Sequence, residues 1–193
     1  GANPDAKAKH LLHYAIMGSV YARHVLRVEN PRVGLMSVGE EDEKGTEFTR
    51  EVFAMLKDAP INFVGNVEGH DLFEKPIDIV LCDGFTGNVV LKSCEATARA
   101  IFSWMKSELT KSPIRYFGAM LAKGAFKAVK ERGNYETYGG SPLLGVNGIC
   151  IICHGTSSPL AISNAIRVAA DAITHEVNPH IKEEIERYAL AHA

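Results

Sequence analysis

The feature that most constrains this chain is an apolar stretch, residues 77–82, that runs directly into the glycine-rich segment 83–88 (Asp-Gly-Phe-Thr-Gly-Asn). A helical pattern of apolar residues begins straight afterwards, at residues 89–92. Backbone N–H groups at a helix start lack partners within the helix and carry partial positive charge, so this order favours binding of a phosphate or carboxylate. The order returns in strand 149–153, turn 154–158 and a helix that is expected to have Ser158 as its N-cap and Pro159 as its first residue. Two such turns predict an enzyme that handles phosphate.

Strands and helices alternate along the chain at the spacing of βαβ units. The patterns predict helices over residues 11–26, from Thr46 and over 89–109, and strands at 32–38, 61–64 and 77–82. The strands are continuous apolar runs, which is typical of a parallel sheet flanked by helices. Ligands of open α/β sheets bind at the carboxyl ends of the strands. One cleft is therefore expected to be lined by loops 39–45, 65–70, 83–88 and 154–158.

Composition excludes several classes of function. The formal charge of −2 argues against nucleic acid as the main partner, and the sequence has no apolar run of the length that spans a membrane. Cys150 and Cys153 form a C-x-x-C, but strand spacing points their side chains to opposite faces, which favours buried free thiols in a reducing cytoplasm over zinc binding. The histidines have no metal-binding spacing, so we expect neither a metal nor a cofactor.

Residues 104–132 differ from the rest because large apolar side chains alternate with seven lysines and arginines. Pro113 and Gly124 are expected to break this stretch into short helices. A basic amphipathic helix is typical of membrane-surface binding, and a helical pair packed on a second subunit is the alternative. The candidate surface residues are Phe117, Leu121, Lys123, Lys127 and Lys130.

Three polar residues are candidates for chemistry at the first cleft. Lys44 follows a strand end, where a flexible ammonium can hold a phosphate or an oxyanion, although a solvated lysine has the same pattern. Asn88 can cap the following helix or donate its amide to a substrate carbonyl. Asp83 can orient Lys44 or a loop N–H, or form an Asx-turn.

The second half of the chain offers a glycine pair and a histidine. Gly139 and Gly140 allow close approach of the backbone to a ligand, or belong to a wide turn. His154 ends a strand, where it can bind phosphate, act as an acid or bond to the backbone. The sequence has no G-x-S-x-G elbow and no Walker A loop.

Together these segments resemble the phosphate acyltransferases of bacterial phospholipid synthesis. The resemblance covers nearly the whole chain, and its specificity comes from the joint order and spacing of motifs that are each weak. The motifs lie at residues 1–3, 15–21, 31–35, 39–45, 62–68, 82–88, 138–140 and 154–158.

The resemblance implies a fold similar to the isocitrate and isopropylmalate dehydrogenases, with a protruding amphipathic helical segment. It implies conversion of acyl-acyl carrier protein and inorganic phosphate to acyl-phosphate and free carrier protein, for use by an acyl-phosphate-dependent glycerol-3-phosphate acyltransferase. A cytoplasmic homodimer attached peripherally to the inner membrane face is also implied. The carrier protein of the family is acidic, so the resemblance also implies that the basic side chains of 104–132 can dock it. Lys44 and Asn88 would lie at the reacting centre. Substrate and phosphate binding is expected at Asp83, Gly84, Thr86, Gly87, Gly139, Gly140, His154, Gly155 and Ser157.

The sequence departs from the family pattern in one large respect. Family members carry a further N-terminal half with an Asp-Ala-Met-Gly-Gly-Asp motif and an Asn-Thr-Gly loop, and neither is in this chain. We therefore expect residues 1–193 to form a single α/β domain that is the C-terminal part of a longer enzyme, with 104–132 as an insertion. The alternatives are a phosphotransacetylase-like transfer with coenzyme A and a membrane-docking scaffold without activity.

Overall fold

The computed structural model describes residues 3–132 and 140–192. Within these residues the elements follow one another as α1 (Ala8–His24), β1 (Arg32–Met36), α2 (Glu47–Lys57), β2 (Asn62–Val67), α3 (Asp71–Glu74), β3 (Ile79–Leu81), α4 (Gly84–Leu109), α5 (Pro113–Leu121), α6 (Lys123–Arg132), β4 (Ser141–Pro142), β5 (Ile151–Ile152), α7 (Pro159–Thr174) and α8 (Val177–Ala191).

The first three strands form a parallel sheet in the order β2-β1-β3. Strand β1 is central, and α2 connects it to β2 as the crossover of a βαβ unit. The predicted parallel sheet is confirmed. Because parallel strands end at the same edge, the segments that follow Met36, Val67 and Leu81 leave the sheet on one side.

Strand β2 contains one extra residue relative to β1. Val33 pairs with Phe63 and Gly34 pairs with Gly65, so Val64 is left without a partner, and Gly65 has a positive φ of 97°. Paired residues of neighbouring strands share a face of the sheet. After this bulge Asn66 therefore shares the face of its partner Leu35, which is the core face.

The main core lies between the sheet and helices α1 and α2. Val33 and Leu35 of β1 are fully buried against Leu11 of α1 and the side chains of Val52 and Leu56 of α2. These apolar positions recur at helical spacing in the sequence, and their burial is what attaches both helices to the sheet. Helix α8, which follows a left-handed Glu176, packs on α1.

The second predicted strand–turn–helix unit does not extend the parallel sheet. Strand β5 pairs antiparallel with β4 in a separate two-stranded sheet, and only Ile151–Ile152 of the predicted 149–153 is strand. The segment between β4 and β5 reaches α1 and α8. A Cβ on Gly145 would lie 3.2 Å from the Met17 sulfur, and Asn178 donates to the carbonyl of Gly148 over 2.8 Å.

The boundaries of helices α4, α5 and α6 differ from those that the sequence predicts. The long helix begins at Gly84 rather than at 89, and segment 84–88 is therefore its first turn and not a loop. Pro113 opens α5 as expected, with Ser112 as N-cap, but the second break falls at Ala122 and Gly124 lies inside α6. Neither α4 nor α5 has a buried residue.

The four cysteines are free, and the prediction that the C-x-x-C thiols are buried is wrong. Cys150 is exposed and Cys153 is half-buried. The strand there is two residues long and belongs to an outlying hairpin, so it offers no core in which a thiol would be covered.

Candidate functional site

The segment that leaves β1 at the carboxyl edge is tied to three other elements. We call residues 37–46 the β1–α2 loop. Glu40 accepts from Lys75, just beyond α3, over 2.8 Å, and Asp42 accepts from Lys57 of α2 over 2.6 Å. Between them, the carbonyl oxygen of Glu41 accepts from the Asn66 side chain of β2 over 2.8 Å. Three successive residues of the loop are thus held from three directions.

Lys44 lies at the end of this anchored turn. Its backbone N–H donates to the Glu41 carbonyl over 3.0 Å, and its side chain is exposed. The Lys44 stem passes over Gly39, where a Cβ would come within 2.9 Å of Lys44 Cγ. The absence of a side chain at Gly39 therefore makes room for the aliphatic stem of Lys44.

A charged cluster lies beside the loop at the same edge. Ligand atoms of Glu40, His70 and Asp71 lie within 4.8 Å of one another. The Lys75 ammonium bridges two of them, at 2.8 Å from Glu40 and 3.1 Å from Asp71. The cluster therefore already holds a positive charge of its own.

Asp71 is fully buried, and its ionisation depends on its partners. The backbone N–H of Glu68, which donates over 2.8 Å, lowers the pKa of Asp71 most; burial opposes this shift and the Lys75 ammonium adds to it. The same contacts raise the pKa of Lys75, first through Glu40 and then through Asp71. Both groups are consequently charged at neutral pH.

Asp83 is the N-cap of α4. Its carboxylate accepts from the Thr86 N–H over 2.8 Å and from the Thr86 hydroxyl over 2.7 Å. Burial acts to raise the pKa of Asp83, but these bonds and one from the Phe85 N–H outweigh it and lower the pKa. The N–H of Gly84 donates to the carbonyl of Asn3 over 2.9 Å. In this structure the amides of the first turn are bonded within the chain.

Asn88 is not the cap of α4, because Asp83 holds that position. It lies inside the helix, one turn after Gly84, and its side chain is exposed. Residues at i and i+4 share a helix face, so Asn88 lies on the same face of α4 as Gly84. That Asn88 and Lys44 meet at one reacting centre stays a prediction.

The second turn is organised around His154. Its Nδ1 accepts from the Thr156 N–H over 3.2 Å and contacts the Thr156 hydroxyl at 2.7 Å. An accepting Nδ1 places the ring proton on Nε2, which leaves an N–H donor for a ligand. The sequence-based alternative of a backbone-bonded histidine is thus what the structure contains.

The same turn gathers other predicted residues. The backbone N–H of Ser157 donates to the carbonyl of His154 over 3.0 Å, and Gly155 is exposed between them. Ser158 caps α7 and Pro159 is its first residue, as predicted. A Cβ on Gly140 would lie 2.7 Å from Ile151, so this glycine is required for packing of the hairpin. Gly139 lies outside the described residues.

The structure therefore forms two local groups out of the predicted site residues. Asp83, Gly84, Thr86 and Gly87 form the first turn of α4, whereas Gly140, His154, Gly155 and Ser157 accompany the β4–β5 hairpin. The expectation that turn 154–158 leaves the same sheet as loop 39–45 is wrong, because β5 is not a strand of that sheet.

Sequence reasoning missed the roles of Asn66, Asp71 and Lys75. Asn66 belongs to one of the quoted motifs, and its position between two glycines was the available signal. Its hydrogen-bond partner is 25 positions away, which no local pattern indicates.

Comparison with known proteins places this arrangement in a family of lipid-metabolism proteins. The family model described as "Fatty acid synthesis protein" matches residues 1–180, and the chain belongs to this family. A relative from Akkermansia muciniphila is 55% identical over 193 residues, a relative from Desulfitobacterium hafniense (strain DCB-2) is 48% identical over 192, and one from Bacillus cereus is 50% identical over 190. All three are named phosphate acyltransferase, so the resemblance seen in the motifs is confirmed.

The matches cover this chain almost completely but the relatives only in part. They include 97–99% of this chain and 55–58% of each relative. The chain thus spans just over half the length of these relatives. In the residues that the structure describes, no helix combines the length and apolarity needed to cross a membrane.

Proposed function

We propose that the protein is a phosphate acyltransferase that converts acyl-acyl carrier protein and inorganic phosphate to acyl-phosphate and free carrier protein. The observation that carries this proposal is the 47–55% identity to proteins named phosphate acyltransferase over nearly all of this chain. The anchored Lys44 loop at the carboxyl edge of the sheet supports it, since this edge is where α/β sheets bind ligands.

The proposed reaction needs no acid strong enough to protonate the leaving group. A phosphate oxygen attacks the thioester carbonyl carbon, a C–O bond forms, and the C–S bond then breaks. The sulfur leaves with the electron pair as a thiolate, because thiols have a pKa of about 8.5. The site must therefore position phosphate and stabilise the oxyanion of the tetrahedral intermediate.

We assign the oxyanion to Lys44 and Asn88 and the phosphate to the turn around His154. This turn belongs to the β4–β5 hairpin and not to the sheet that carries the Lys44 loop, so the assignment requires both to face one bound substrate. Lys44 supplies an exposed ammonium and Asn88 an exposed amide on the face of the α4 start. The Nε2–H of His154 and the turn 154–158 supply neutral donors to phosphate oxygens. In this proposal the first turn of α4, with Gly84, Thr86 and Gly87, orients Asn88 rather than donating its own amides, since Asp83 and Asn3 already accept from them.

The test is release of free thiol from acyl-acyl carrier protein by the protein at its full natural length. We expect release to require phosphate and to fall by about a hundredfold or more in Lys44→Ala or Asn88→Ala, the usual effect of losing one oxyanion donor. Lys182→Ala, an exposed lysine of α8 paired with Glu186, is the control and should keep full activity. Phosphate-independent release, or full activity without Lys44, would refute the proposal. Preference for acetyl-coenzyme A would instead indicate the phosphotransacetylase-like reaction.

The surface formed by helices α4, α5 and α6 is the proposed site for binding partners and the membrane. This surface exposes Trp104, Ile114, Phe117 and Leu121, each more than half accessible, together with Lys123. Large exposed apolar patches mark interaction sites. We propose that this surface binds a second copy of the protein, the acidic carrier protein or the cytoplasmic face of the inner membrane. At the membrane, unstable acyl-phosphate would pass to a glycerol-3-phosphate acyltransferase.

Charge reversal distinguishes these partners. Lys123→Glu, Lys127→Glu and Lys130→Glu together should abolish flotation with anionic liposomes if the membrane is the partner. If the carrier protein is the partner, the same variant should raise KM for its thioester and leave flotation unchanged. Phe117→Ser with Leu121→Ser should shift the dimer to monomer if the second copy is the partner.

A further inference from the structure

Lys44 is useful to a reaction only if its ammonium is held in a fixed place, and its own contacts do not fix it. Its side chain is exposed, and the residue lies in a loop that has no regular secondary structure. The contacts of the β1–α2 loop must therefore provide the order. They include the three ties described above, a bond that the exposed Arg50 side chain donates to the Gly45 carbonyl over 2.9 Å, and one from the Ser37 N–H to the Val67 carbonyl over 2.9 Å.

Two of the three ties are weak. The Glu40–Lys75 pair has side chains 56% and 39% exposed, and the Asp42–Lys57 pair 60% and 54% exposed. Ion pairs between exposed side chains contribute little to order because water and salt screen them.

The third tie is different in kind. Asn66 is only 6% exposed, and its amide donates to the Glu41 carbonyl over 2.8 Å. This bond is part-buried, since Glu41 is exposed, but breaking it leaves the buried Asn66 amide without a partner, which is costly. The carbonyl that Asn66 holds also accepts the backbone N–H of Lys44 over 3.0 Å. One oxygen thus joins the rigid sheet to the lysine.

The β2 bulge is what brings the Asn66 amide to this carbonyl. Without the extra residue at Val64, strand alternation would place Asn66 on the face opposite Phe63. With it, Asn66 shares the face of Leu35. Bulges commonly re-aim a side chain next to a functional site.

We propose that Asn66 is a positioning residue for Lys44, acting through the carbonyl of Glu41. The proposal rests on the function proposed above, since it assumes that Lys44 stabilises the reacting oxyanion. Asn66 holds the turn 41–44 in the orientation that points the ammonium into the cleft. Small displacements of a catalytic group reduce turnover strongly; about 1 Å costs up to about a hundredfold.

The test is Asn66→Asp in the full-length protein, because aspartate keeps the shape and lacks the N–H donor. We expect kcat to fall by at least about tenfold, with KM for the acyl thioester little changed, since the lost contact matters in the transition state. Asn62→Asp is the matched control. Asn62 lies at the other end of the same strand and also donates its amide to a main-chain carbonyl, that of Asn30. This variant should keep its kcat.

A second measurement separates positioning from general damage. If Asn66 acts through Lys44, then Asn66→Asp should cause no further loss of kcat in a Lys44→Ala background, because coupled residues are not additive. An equal loss in both backgrounds, or an unchanged kcat in folded Asn66→Asp, would overturn the inference. Full activity of Lys44→Ala would instead refute the proposed function, whatever Asn66 does.

If Asn66→Asp does not fold, Gly39→Ala provides the second variant. A Cβ there meets the Lys44 stem and the end of the Glu41 side chain, each at 2.9 Å, and the variant keeps the Asn66 amide donor. Displacement of the ammonium should again lower kcat by about tenfold and not in the Lys44→Ala background. Unchanged kcat in Gly39→Ala would overturn the inference.

Discussion

Asn66 and Lys44 share one hydrogen-bond acceptor, the carbonyl oxygen of Glu41. The side-chain amide of Asn66 donates to it over 2.8 Å and the backbone N–H of Lys44 over 3.0 Å. A carbonyl oxygen has two lone pairs, and both are used here. A strand residue and a loop residue 22 positions apart are therefore coupled through a single peptide group.

The N-cap of α4 should make a measurable contribution to stability. Asp83→Ala removes the acceptor of the Thr86 N–H, and loss of such a cap costs about 1 kcal/mol. Asparagine caps helices about as well as aspartate, so Asp83→Asn should retain most of that stability at neutral pH. Urea denaturation of both variants tests this, and equal stability of Asp83→Ala and wild type would contradict the assigned cap.

Acid should remove part of the Asp83 contribution. The pKa of Asp83 in the folded protein is lowered, because its hydrogen bonds outweigh its burial. In the unfolded chain the carboxyl group has the ordinary pKa of about 3.9. The stabilisation is fully present above that value and is lost as the pH falls from about 4 through the folded pKa. Asp83→Asn should show a shallower decline of stability over this acid range. A decline identical to that of the wild type would exclude Asp83 as a cause of the acid sensitivity.

Gly34 and Val67 should behave as a coupled pair. A Cβ on Gly34 would lie 2.5 Å from a Val67 methyl group, which no real contact allows. We expect Gly34→Ala to destabilise the protein by about 1–3 kcal/mol, the usual cost of overpacking. In a Val67→Ala background the added methyl group has room, so the cost of Gly34→Ala should largely disappear. Calorimetry of the four proteins measures this; strictly additive losses would contradict the close approach.

The pair of buried Asp71 with Lys75 should be stronger than the exposed pair of Asp42 with Lys57. Lys75→Gln leaves the Asp71 carboxylate buried without its cation and should destabilise the protein, whereas Lys57→Gln should have little effect. Asp71→Asn removes the charge and should reduce the loss caused by Lys75→Gln. Thermal denaturation at neutral pH compares the variants, and an equal response to both lysine substitutions would contradict the difference in burial.

His24 should make the fold sensitive to mild acid. Burial, followed by nearby His180, Arg23, Arg27 and His175, lowers the pKa of His24, whose ring stacks on that of His180 at 4.1 Å. Below the ordinary value of about 6.5 the unfolded chain takes up the proton first, so stability should fall as the pH drops from there towards the folded pKa.

Replacement of His24 should reduce this dependence, while burial, which also lowers the pKa of His13, preserves part of it. His24→Gln is expected to flatten the stability profile below about pH 6.5. Equilibrium unfolding across the pH range decides; parallel profiles for wild type and His24→Gln would exclude this source of acid sensitivity.

Local rules in the sequence were sufficient where local contacts determine structure. The Ser158 cap followed by Pro159 predicted the start of α7 correctly, because both preferences concern the first helical turn alone. The sequence pattern predicts the start of α4 five residues late, because Gly84 and Gly87 indicate a loop. The Asp83 side chain satisfies the Thr86 N–H and stabilises the helix start in spite of the glycines.

Contacts between distant residues account for what the sequence did not reveal. The pattern of 149–153 predicts a strand but not its partner, and antiparallel pairing with β4 separates the second turn from the main sheet. The same holds for Asn66, whose role appears only when a bulge and a distant loop meet.

The unpaired Val64 has a consequence for how this segment can change through evolution. Deleting one residue there would move the side chains between this position and the end of the strand to the opposite face of the sheet. Replacing the valine, whose side chain is exposed, would disturb little. We therefore expect natural variants to differ freely in what occupies this position and to agree in the number of residues between Phe63 and Asn66.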